Sequence, residues 1–266
     1  MNKRTRKILI LVLSLCFLAS LAGSIWSLLQ DRAGIQSQQE AEQTAGIHES
    51  EAEPPPQAEI LDPSVLDDPI VGVMARVDLD ALQAVNPDVL GWISIPDTII
   101  SYPFLQGEDN EYYLRRTWQG EKNNAGCIFL DSEVSPDLSD FNTIIYGHRM
   151  RNETMFGPLK YYSDPAYWED HPTIYVRDES FIRRYEIFSA YETDVTAITF
   201  GLGFSQQTHK KAFLDFSKSQ SVIDTGVEVG TFDRILTLST CPARGYDTRW
   251  IVQAVLRDEI PIAAMK

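Results

Sequence analysis

The chain has 266 residues, of which 44% are hydrophobic and 23% charged, so it can bury a core in one or two domains. Its formal net charge of -15 argues against nucleic acid as a partner, because phosphate binding needs a concentrated basic patch and none occurs after residue 7. The three cysteines are too few and too scattered for a disulfide framework or a zinc site, so no metal or other cofactor is expected.

The first 29 residues have the composition of a membrane anchor. Residues 1–7, MNKRTRK, are basic, and residues 8–29 contain no charge. As a helix at about 1.5 Å per residue, residues 8–29 extend roughly 33 Å, enough to cross a hydrocarbon core of about 30 Å. A cleaved signal peptide is the alternative, but its apolar core is shorter, about 7 to 15 residues. The sequence therefore favours a single-pass anchor in the cell membrane, with the N-terminus in the cytoplasm and the rest of the chain outside.

Residues 30–68 are rich in Gln, Glu, Ala and Pro and contain few large apolar side chains. Such a segment buries too little surface to offset the entropy of ordering. We predict a disordered acidic tether between the anchor and a domain that spans residues 69–266.

The domain of residues 69–266 is predicted to be mainly β. It begins with a helix from about Asp78 to Val85, which Asn86-Pro87 ends. Short β-branched or aromatic runs follow, most of them separated by turn residues: WISIP, IISYPF, GCIFLD, NTIIYGH, TIYVRD, YEIFSAYE, ILTLST and WIVQAVL. Seven or eight such strands are typical of a barrel or a sandwich.

Two insertions between these runs have helical character. Residues 154–171, TMFGPLKYYSDPAYWEDH, should contain a short helix and a turn. Residues 204–220, FSQQTHKKAFLDFSKSQ, place their phenylalanines at roughly helical spacing.

Three residues that suit cysteine catalysis lie where strands meet loops. Cys241 ends the ILTLST run, His148 follows NTIIYG with Gly147 allowing the backbone to turn, and Arg249 begins the strand after Cys241. The two strands that carry Cys241 and Arg249 should be neighbours across a hairpin-like loop. Each residue alone has an ordinary structural explanation, but the three together supply the groups that cysteine catalysis needs. A nearby cation stabilises a thiolate, an imidazole can protonate a leaving amine, and a guanidinium can stabilise an oxyanion.

The motif TLSTC-PARGYDT-R, with TIIYGHRM upstream, resembles the active-site signature of sortases, the cysteine transpeptidases of Gram-positive cell surfaces. The wider match to class B is collinear over about residues 78–256 and consists of NPDVLGWISIPDTIISYPFLQGEDNEYYL, GCIFLD, NTIIYGHRM with ETMFGPLKYY after it, and YEIFSAYETD. The resemblance implies a closed β-barrel of about eight strands with an N-terminal helical segment. It also implies a helix near Phe204 to Ser217, in a long loop between two late strands.

The resemblance further implies roles for individual residues. Cys241 would be the nucleophile, His148 the general acid/base, and Arg249 the group that stabilises oxyanion and substrate. A groove for the sorting signal would be lined by four more residues: Asn110, Leu114, Tyr146 and Ser239. Each of these four has a structural alternative, as a helix cap, a core side chain or a strand hydroxyl bonded to backbone.

The function implied by the resemblance is membrane-anchored transpeptidation. The enzyme would cleave a C-terminal sorting signal of a surface protein after Thr, form a thioacyl-enzyme, and transfer the protein to an amine of a lipid-linked peptidoglycan precursor. Two enzymatic alternatives remain open, a pilin-polymerising sortase with a lysine acceptor and a cell-wall cysteine hydrolase that uses water. A surface adhesion or receptor head is the alternative without catalysis.

Two residues near this motif raise separate questions. Pro242, directly after Cys241, has no N–H to offer an oxyanion hole, so Arg249 should take more of that role. Cys127 is either a small core side chain or a partner for Cys241 in a regulatory disulfide.

Overall fold

The computed structural model describes residues 3–47, 68–241 and 247–265. Its α-helices are α1 (Lys3–Thr44), α2 (Pro69–Ala75), α3 (Leu79–Val85), α4 (Pro165–Asp170) and α5 (Gln207–Gln220). Its strands are β1 (Val89–Ser94), β2 (Ser101–Leu105), β3 (Ile128–Leu130), β4 (Asn142–His148), β5 (Thr173–Arg177), β6 (Phe181–Asp194), β7 (Ile235–Cys241) and β8 (Thr248–Pro261). Short 3-10 helices span Tyr112–Arg115, Gly157–Ser163, Ile198–Phe200 and Ile262–Met265.

The strands form one closed barrel in the order β1-β2-β3-β4-β7-β8-β6-β5, and β5 pairs with β1 to complete the circle. The β2–β3 and β4–β7 pairs are parallel and the other pairs are antiparallel. Closure satisfies the backbone hydrogen bonds that an open sheet leaves at its edges. The predicted closed barrel is confirmed, and each of the eight predicted runs contributes a strand.

Alternation along the strands separates the barrel interior from its outer face. Ile145, Leu238 and Val252 are paired neighbours on β4, β7 and β8, and all three belong to the interior core. The next residues in register, Tyr146, Ser239 and Ile251, therefore point to the outer face.

The predicted helices of the domain are also confirmed. The carboxylate of Asp78 caps α3 by accepting a hydrogen bond from the backbone N–H of Ala81 at 2.9 Å. The insertion at residues 154–171 holds a 3-10 helix and α4. In the connection between β6 and β7, α5 buries Phe213 and Leu214 against the outside of the barrel.

The N-terminal helix extends beyond the apolar segment and corrects part of the predicted tether. Residues 31–44 are helical, as the second half of α1. Their buried positions, spaced three or four residues apart as on one helical face, are Gly34, Ser37 and Ala41, and Ala45 follows. The composition of residues 31–44 predicts disorder because these residues have few large apolar side chains of their own. The barrel supplies the apolar surface on which they pack. Residues 48–67 of the predicted tether lie outside the described residues.

Directional hydrogen bonds hold the second half of α1 on the barrel. The indole N–H of Trp118 donates to the carbonyl oxygen of Ser37 at 2.8 Å. The side chain of Gln119 donates to the carboxylate of Glu40 at 3.1 Å. By contrast, residues 12–29 of α1 are exposed, and within the described chain α1 is the one helix long and apolar enough to cross a membrane. A signal sequence near the N-terminus would meet the same criterion.

Candidate active site

Strand register brings the candidate catalytic residues to one end of three adjacent strands. In the parallel β4–β7 pair, His148 is the register partner of Cys241. The antiparallel β7–β8 register runs from Ile235↔Val255 to Ser239↔Ile251, and Cys241 and Arg249 each lie two residues beyond its last pair, at the adjoining ends of β7 and β8. The expectation that Cys241 and Arg249 lie on neighbouring strand ends is confirmed. The side chain of Cys241 and residues 242–246, including Pro242, lie outside the description.

The same alternation places His148 and Arg249 on the outer face of the barrel. His148 follows Tyr146 by two residues, and Arg249 precedes Ile251 by two, so each pair shares a face. The guanidinium of Arg249 donates one hydrogen bond to the carbonyl oxygen of Thr248 at 3.1 Å.

The imidazole of His148 is held by a backbone carbonyl. Its Nε2 lies 2.7 Å from the carbonyl oxygen of Leu114. Because a carbonyl only accepts, Nε2 carries the hydrogen, and Nδ1 is the nitrogen left to take up or release a proton. Burial lowers the pKa of His148 from its usual 6.5, the bond to Leu114 opposes that shift, and the charge of Arg115 adds to it. The neutral imidazole that results near pH 7 can accept the proton of a thiol.

Gly126 makes this position of the imidazole possible. Its φ is +60°, and a Cβ there would lie 2.8 Å from the carbonyl oxygen of Leu114 and 2.9 Å from Cδ2 of His148. Sequence reasoning missed Gly126, since no motif links it to His148.

Gly147 has a different role from the one predicted. The strand β4 continues straight through it to His148, so the backbone does not turn there. A Cβ at Gly147 would lie 2.5 Å from Cδ1 of Ile128 and 2.7 Å from the ring of Phe156. Close packing, and not a turn, therefore requires glycine at this position.

Two of the four predicted groove residues meet at a carboxylate. Asn110 Nδ2 and the Tyr146 hydroxyl donate to the same oxygen of Asp131, at 3.0 and 2.9 Å. The side-chain oxygen of Asn110 accepts the backbone N–H of Ser132 at 2.8 Å, so Asn110 bridges two segments and does not cap a helix. Sequence reasoning missed Asp131; its signal was a carboxylate directly after the apolar run GCIFL.

The other two predicted groove residues, Ser239 and Leu114, each lie next to one member of the candidate catalytic pair. Ser239 is fully buried beside Tyr146, and within the described chain its hydroxyl has no hydrogen-bond partner. The alternative of a strand hydroxyl bonded to backbone is therefore wrong. Leu114 packs against the outer core cluster, and its carbonyl rather than its side chain contacts His148.

A buried hydrogen-bond network holds the β6–β7 connection on the outer face of the barrel. The side chain of Asn142, at the far end of β4, donates to the carbonyl oxygens of Thr199 and Gly201, each at 3.1 Å. Its own oxygen accepts the hydroxyl of Thr237 at 2.7 Å, and Gln253 donates to that hydroxyl at 3.1 Å. The β6–β7 connection that carries α5 is thereby attached to the outside of β4, β7 and β8.

The regulatory disulfide suggested for Cys127 does not fit this fold. Cys127 directly precedes β3, and β4 lies between β3 and the strand that ends in Cys241. Two strand spacings amount to about 9.6 Å, whereas disulfide Cα atoms lie at most about 6.8 Å apart. Cys127 is instead buried beneath α1, and burial raises the pKa of its thiol.

Comparison with known proteins agrees with this geometry. The family model "Sortase domain" matches residues 93–257. Sortase B of Listeria monocytogenes is 40% identical over 185 residues, which are 68% of this chain and 74% of that protein. Sortase B of Staphylococcus aureus is 35% identical over 166 residues, 62% of this chain and 68% of that protein.

Solved structures give the same result. A Staphylococcus aureus sortase B–substrate complex has a TM-score of 0.71 at 28% identity and covers 86% of this chain and 99% of that chain. A sortase B from B. anthracis has a TM-score of 0.70 at 30% identity, with 86% and 98% covered. The chain therefore belongs to the class B sortases, a family of cysteine transpeptidases.

Proposed function

We propose that this protein is a membrane-anchored sortase that cleaves a C-terminal sorting signal after Thr and joins the released protein to an amine of a peptidoglycan precursor. One observation carries the proposal: the β4–β7 register pairs His148 with Cys241, and Arg249 lies at the start of β8, the strand next to β7. A nucleophile, a proton carrier and a cation are the groups that acyl transfer through a thioester requires.

The first half of the reaction forms the thioacyl-enzyme. His148 takes the proton of Cys241, and the thiolate attacks the carbonyl carbon of the scissile Thr. Arg249 donates hydrogen bonds to the oxyanion of the tetrahedral intermediate, because Pro242 has no N–H to donate. As the peptide bond breaks, the protonated imidazole gives its proton to the leaving amine.

The second half reverses these roles. An acceptor amine attacks the thioester carbonyl carbon, His148 takes the proton that the amine loses, and the thiolate of Cys241 departs. The acyl group is then held by a new amide bond, and the enzyme regains its thiol when the imidazolium returns its proton.

The groove for the sorting signal lies on the same outer face. Ser239 precedes Cys241 by two residues and has both donor and acceptor capacity to offer a peptide backbone. Tyr146, the register partner of Ser239, would line the groove with it, together with Asn110 and Leu114. The substrate complex of the Staphylococcus aureus relative supports a peptide as the ligand class.

The membrane arrangement follows from α1. Residues 1–7 would stay in the cytoplasm, residues 8–29 would cross the bilayer, and the domain from residue 69 onward would lie outside the cell. Surface proteins that carry sorting signals and the lipid-linked precursor would both reach the enzyme at that surface. Within the described residues, no group of three or more His, Cys, Asp or Glu side chains could hold a metal ion, and independence of metal stays a prediction.

The test uses the full chain in detergent micelles with peptides carrying NPxTx, SPxTG and LPxTG signals, with and without triglycine, and with Cys241→Ala as the control. We expect cleavage after Thr that becomes ligation to triglycine, read by mass, and no product from the variant. Cleavage that ignores the amine would support the hydrolase instead. Preference for a lysine side chain over triglycine would support pilin polymerisation, and cleavage by Cys241→Ala would overturn the nucleophile.

A further inference from the structure

A basic cleft lies between α1 and the segment that follows β2. It has a volume of about 390 Å³. Its lining includes Trp26, Gln30, Tyr112, Arg115, Arg116 and Lys122. These three cations make the cleft locally positive, although the formal net charge of the chain is -15.

The cations of the basic cleft are held next to each other. Arg116 and Lys122 face one another in an antiparallel bridge. The guanidinium of Arg116 lies 4.4 Å from the ring centroid of Tyr112 and donates to the carbonyl oxygen of Gly120 at 2.8 Å. Across the described part of the chain, no carboxylate forms an ion pair with either residue or with Arg115. An anion entering the cleft would therefore meet positive charge that no acidic side chain neutralises.

The basic cleft opens where the uncharged part of α1 ends. Gln30 is the last residue of the uncharged run, directly before Asp31, and its side-chain oxygen accepts the backbone N–H of Asn124 at 3.4 Å. Trp26, one turn earlier on the same side of the helix, is 63% exposed. Tryptophan concentrates at the boundary between lipid headgroups and acyl chains. If residues 8–29 span the bilayer, the three cations lie at the level of the headgroups.

We propose that the basic cleft binds the phosphate of an anionic membrane lipid, with Arg115, Arg116 and Lys122 around the phosphate and Trp26 at the headgroup boundary. Guanidinium and ammonium groups bind phosphate through charge-assisted hydrogen bonds. Cations beside an apolar helix also attract anionic lipids. The inference rests on the proposed membrane orientation of α1 and not on the transpeptidase chemistry.

A lipid in the basic cleft would be close to the candidate catalytic site along the chain. Arg115 directly follows Leu114, whose carbonyl oxygen positions His148. Binding would therefore hold the segment that supports the imidazole against the membrane surface, where a lipid-linked acceptor arrives.

The experiment titrates the full chain in neutral detergent with dihexanoyl phosphatidylglycerol, dihexanoyl phosphatidylcholine or glycerol phosphate, and follows tryptophan fluorescence. Wild type should bind the anionic lipid on the order of 10- to 100-fold more tightly than the zwitterionic one. The triple variant Arg115→Ala/Arg116→Ala/Lys122→Ala should lose this preference. The charge-matched control Lys210→Ala/Lys211→Ala/Lys218→Ala, on α5, should keep it.

Three results would overturn the proposal. They are equal binding of the two lipids, an unchanged preference in the cleft variant, and binding of glycerol phosphate as tight as that of the anionic lipid, which would assign the cleft to a soluble phosphate. If the triple variant does not fold, Arg115→Glu at an exposed position serves instead, with the same expected loss. Peptide cleavage is measured separately, so failure of lipid binding is distinguishable from failure of the transpeptidase.

Discussion

At the scale of single residues, the imidazole of His148 depends on the segment that runs from Tyr113 to Cys127. The carbonyl oxygen of Leu114 accepts from Nε2, and Gly126 leaves the space in which this contact forms. Both residues act through backbone atoms, so their side chains do not reveal the role.

Replacing Gly126 by alanine should disturb the position of the imidazole. The new Cβ would meet the carbonyl oxygen of Leu114 and the ring of His148 at under 3 Å, at a φ that disfavours any side chain. The pKa of His148 should rise toward 6.5 as burial is relieved, since burial is the larger influence, and transpeptidation should fall. NMR titration of the imidazole gives the first readout and peptide ligation the second.

Gly120→Ala is the matched control for Gly126→Ala. Its φ is +84°, and a Cβ there would meet no atom within 4 Å. It therefore imposes similar backbone strain, roughly 1 kcal/mol of stability, without touching His148. An equal change of the His148 pKa in both variants would contradict the positioning role of Gly126.

The role of Arg249 is tested by Arg249→Ala. Because Pro242 contributes no N–H, this change should remove most oxyanion stabilisation and lower kcat/KM at least about 100-fold. Arg257→Ala, on the same strand but paired with Glu186 at the surface, should leave kcat/KM nearly unchanged. Activity of Arg249→Ala within a few-fold of wild type would refute the assignment.

At the scale of secondary structure elements, the second half of α1 belongs to the folded domain. Small side chains at Gly34, Ser37 and Ala41 let the helix approach the barrel closely, and Trp118 donates to its backbone. The helix also covers the thiol of Cys127. A soluble fragment that retains this packing should therefore begin near Gln30 rather than near Asp68.

Ala41→Asp should weaken the packing of α1. Ala41 is fully buried, so the variant must bury an unpaired carboxylate or release the helix. We expect a loss of roughly 1–3 kcal/mol in the free energy of unfolding and faster maleimide labelling of Cys127, measured in a Cys16→Ala/Cys241→Ala background.

Gln39→Asp adds the same charge to an exposed position of α1. It should change neither the labelling rate nor the unfolding midpoint. Protection of Cys127 in Ala41→Asp equal to that in Gln39→Asp would show that α1 does not cover the thiol in solution.

At the scale of the whole molecule, α1 is one continuous helix through residues 12–44, with no break between its exposed apolar part and the part packed on the barrel. If residues 8–29 span the membrane, the barrel is held at one height and in one orientation. The candidate active site would then be presented to membrane-linked substrates in a constant geometry.

Inserting 20 Gly/Ser residues between Leu29 and Gln30 should remove this constraint. Such a linker spans roughly 25 Å as a random coil, so the domain would sample many heights and orientations. Ligation of a soluble peptide to triglycine should be unchanged, whereas transfer to a lipid-linked acceptor in proteoliposomes should fall about tenfold. If the variant transferred to the lipid-linked acceptor as fast as wild type does, a fixed geometry would be refuted.

Much of this protein was determined by local sequence. Each strand and most helices of residues 69–266 could be predicted because alternation, helical spacing and caps act within a few residues of one another, whereas α2 (Pro69–Ala75) was not predicted. Strand ends and a short motif mark the candidate cysteine, histidine and arginine, and the same motif carries the resemblance to the sortase family.

Other features depended on contacts between segments far apart in the chain, which no local window evaluates. Only the parallel pairing of β4 with β7 sets His148 beside Cys241, and only the fold brings the Leu114 carbonyl to the imidazole. Residues 31–44 are helical and pack on a surface that the barrel offers them. The three cations of the basic cleft lie within residues 115–122, but only the fold places Trp26 and Gln30 of α1 beside them to complete the cleft.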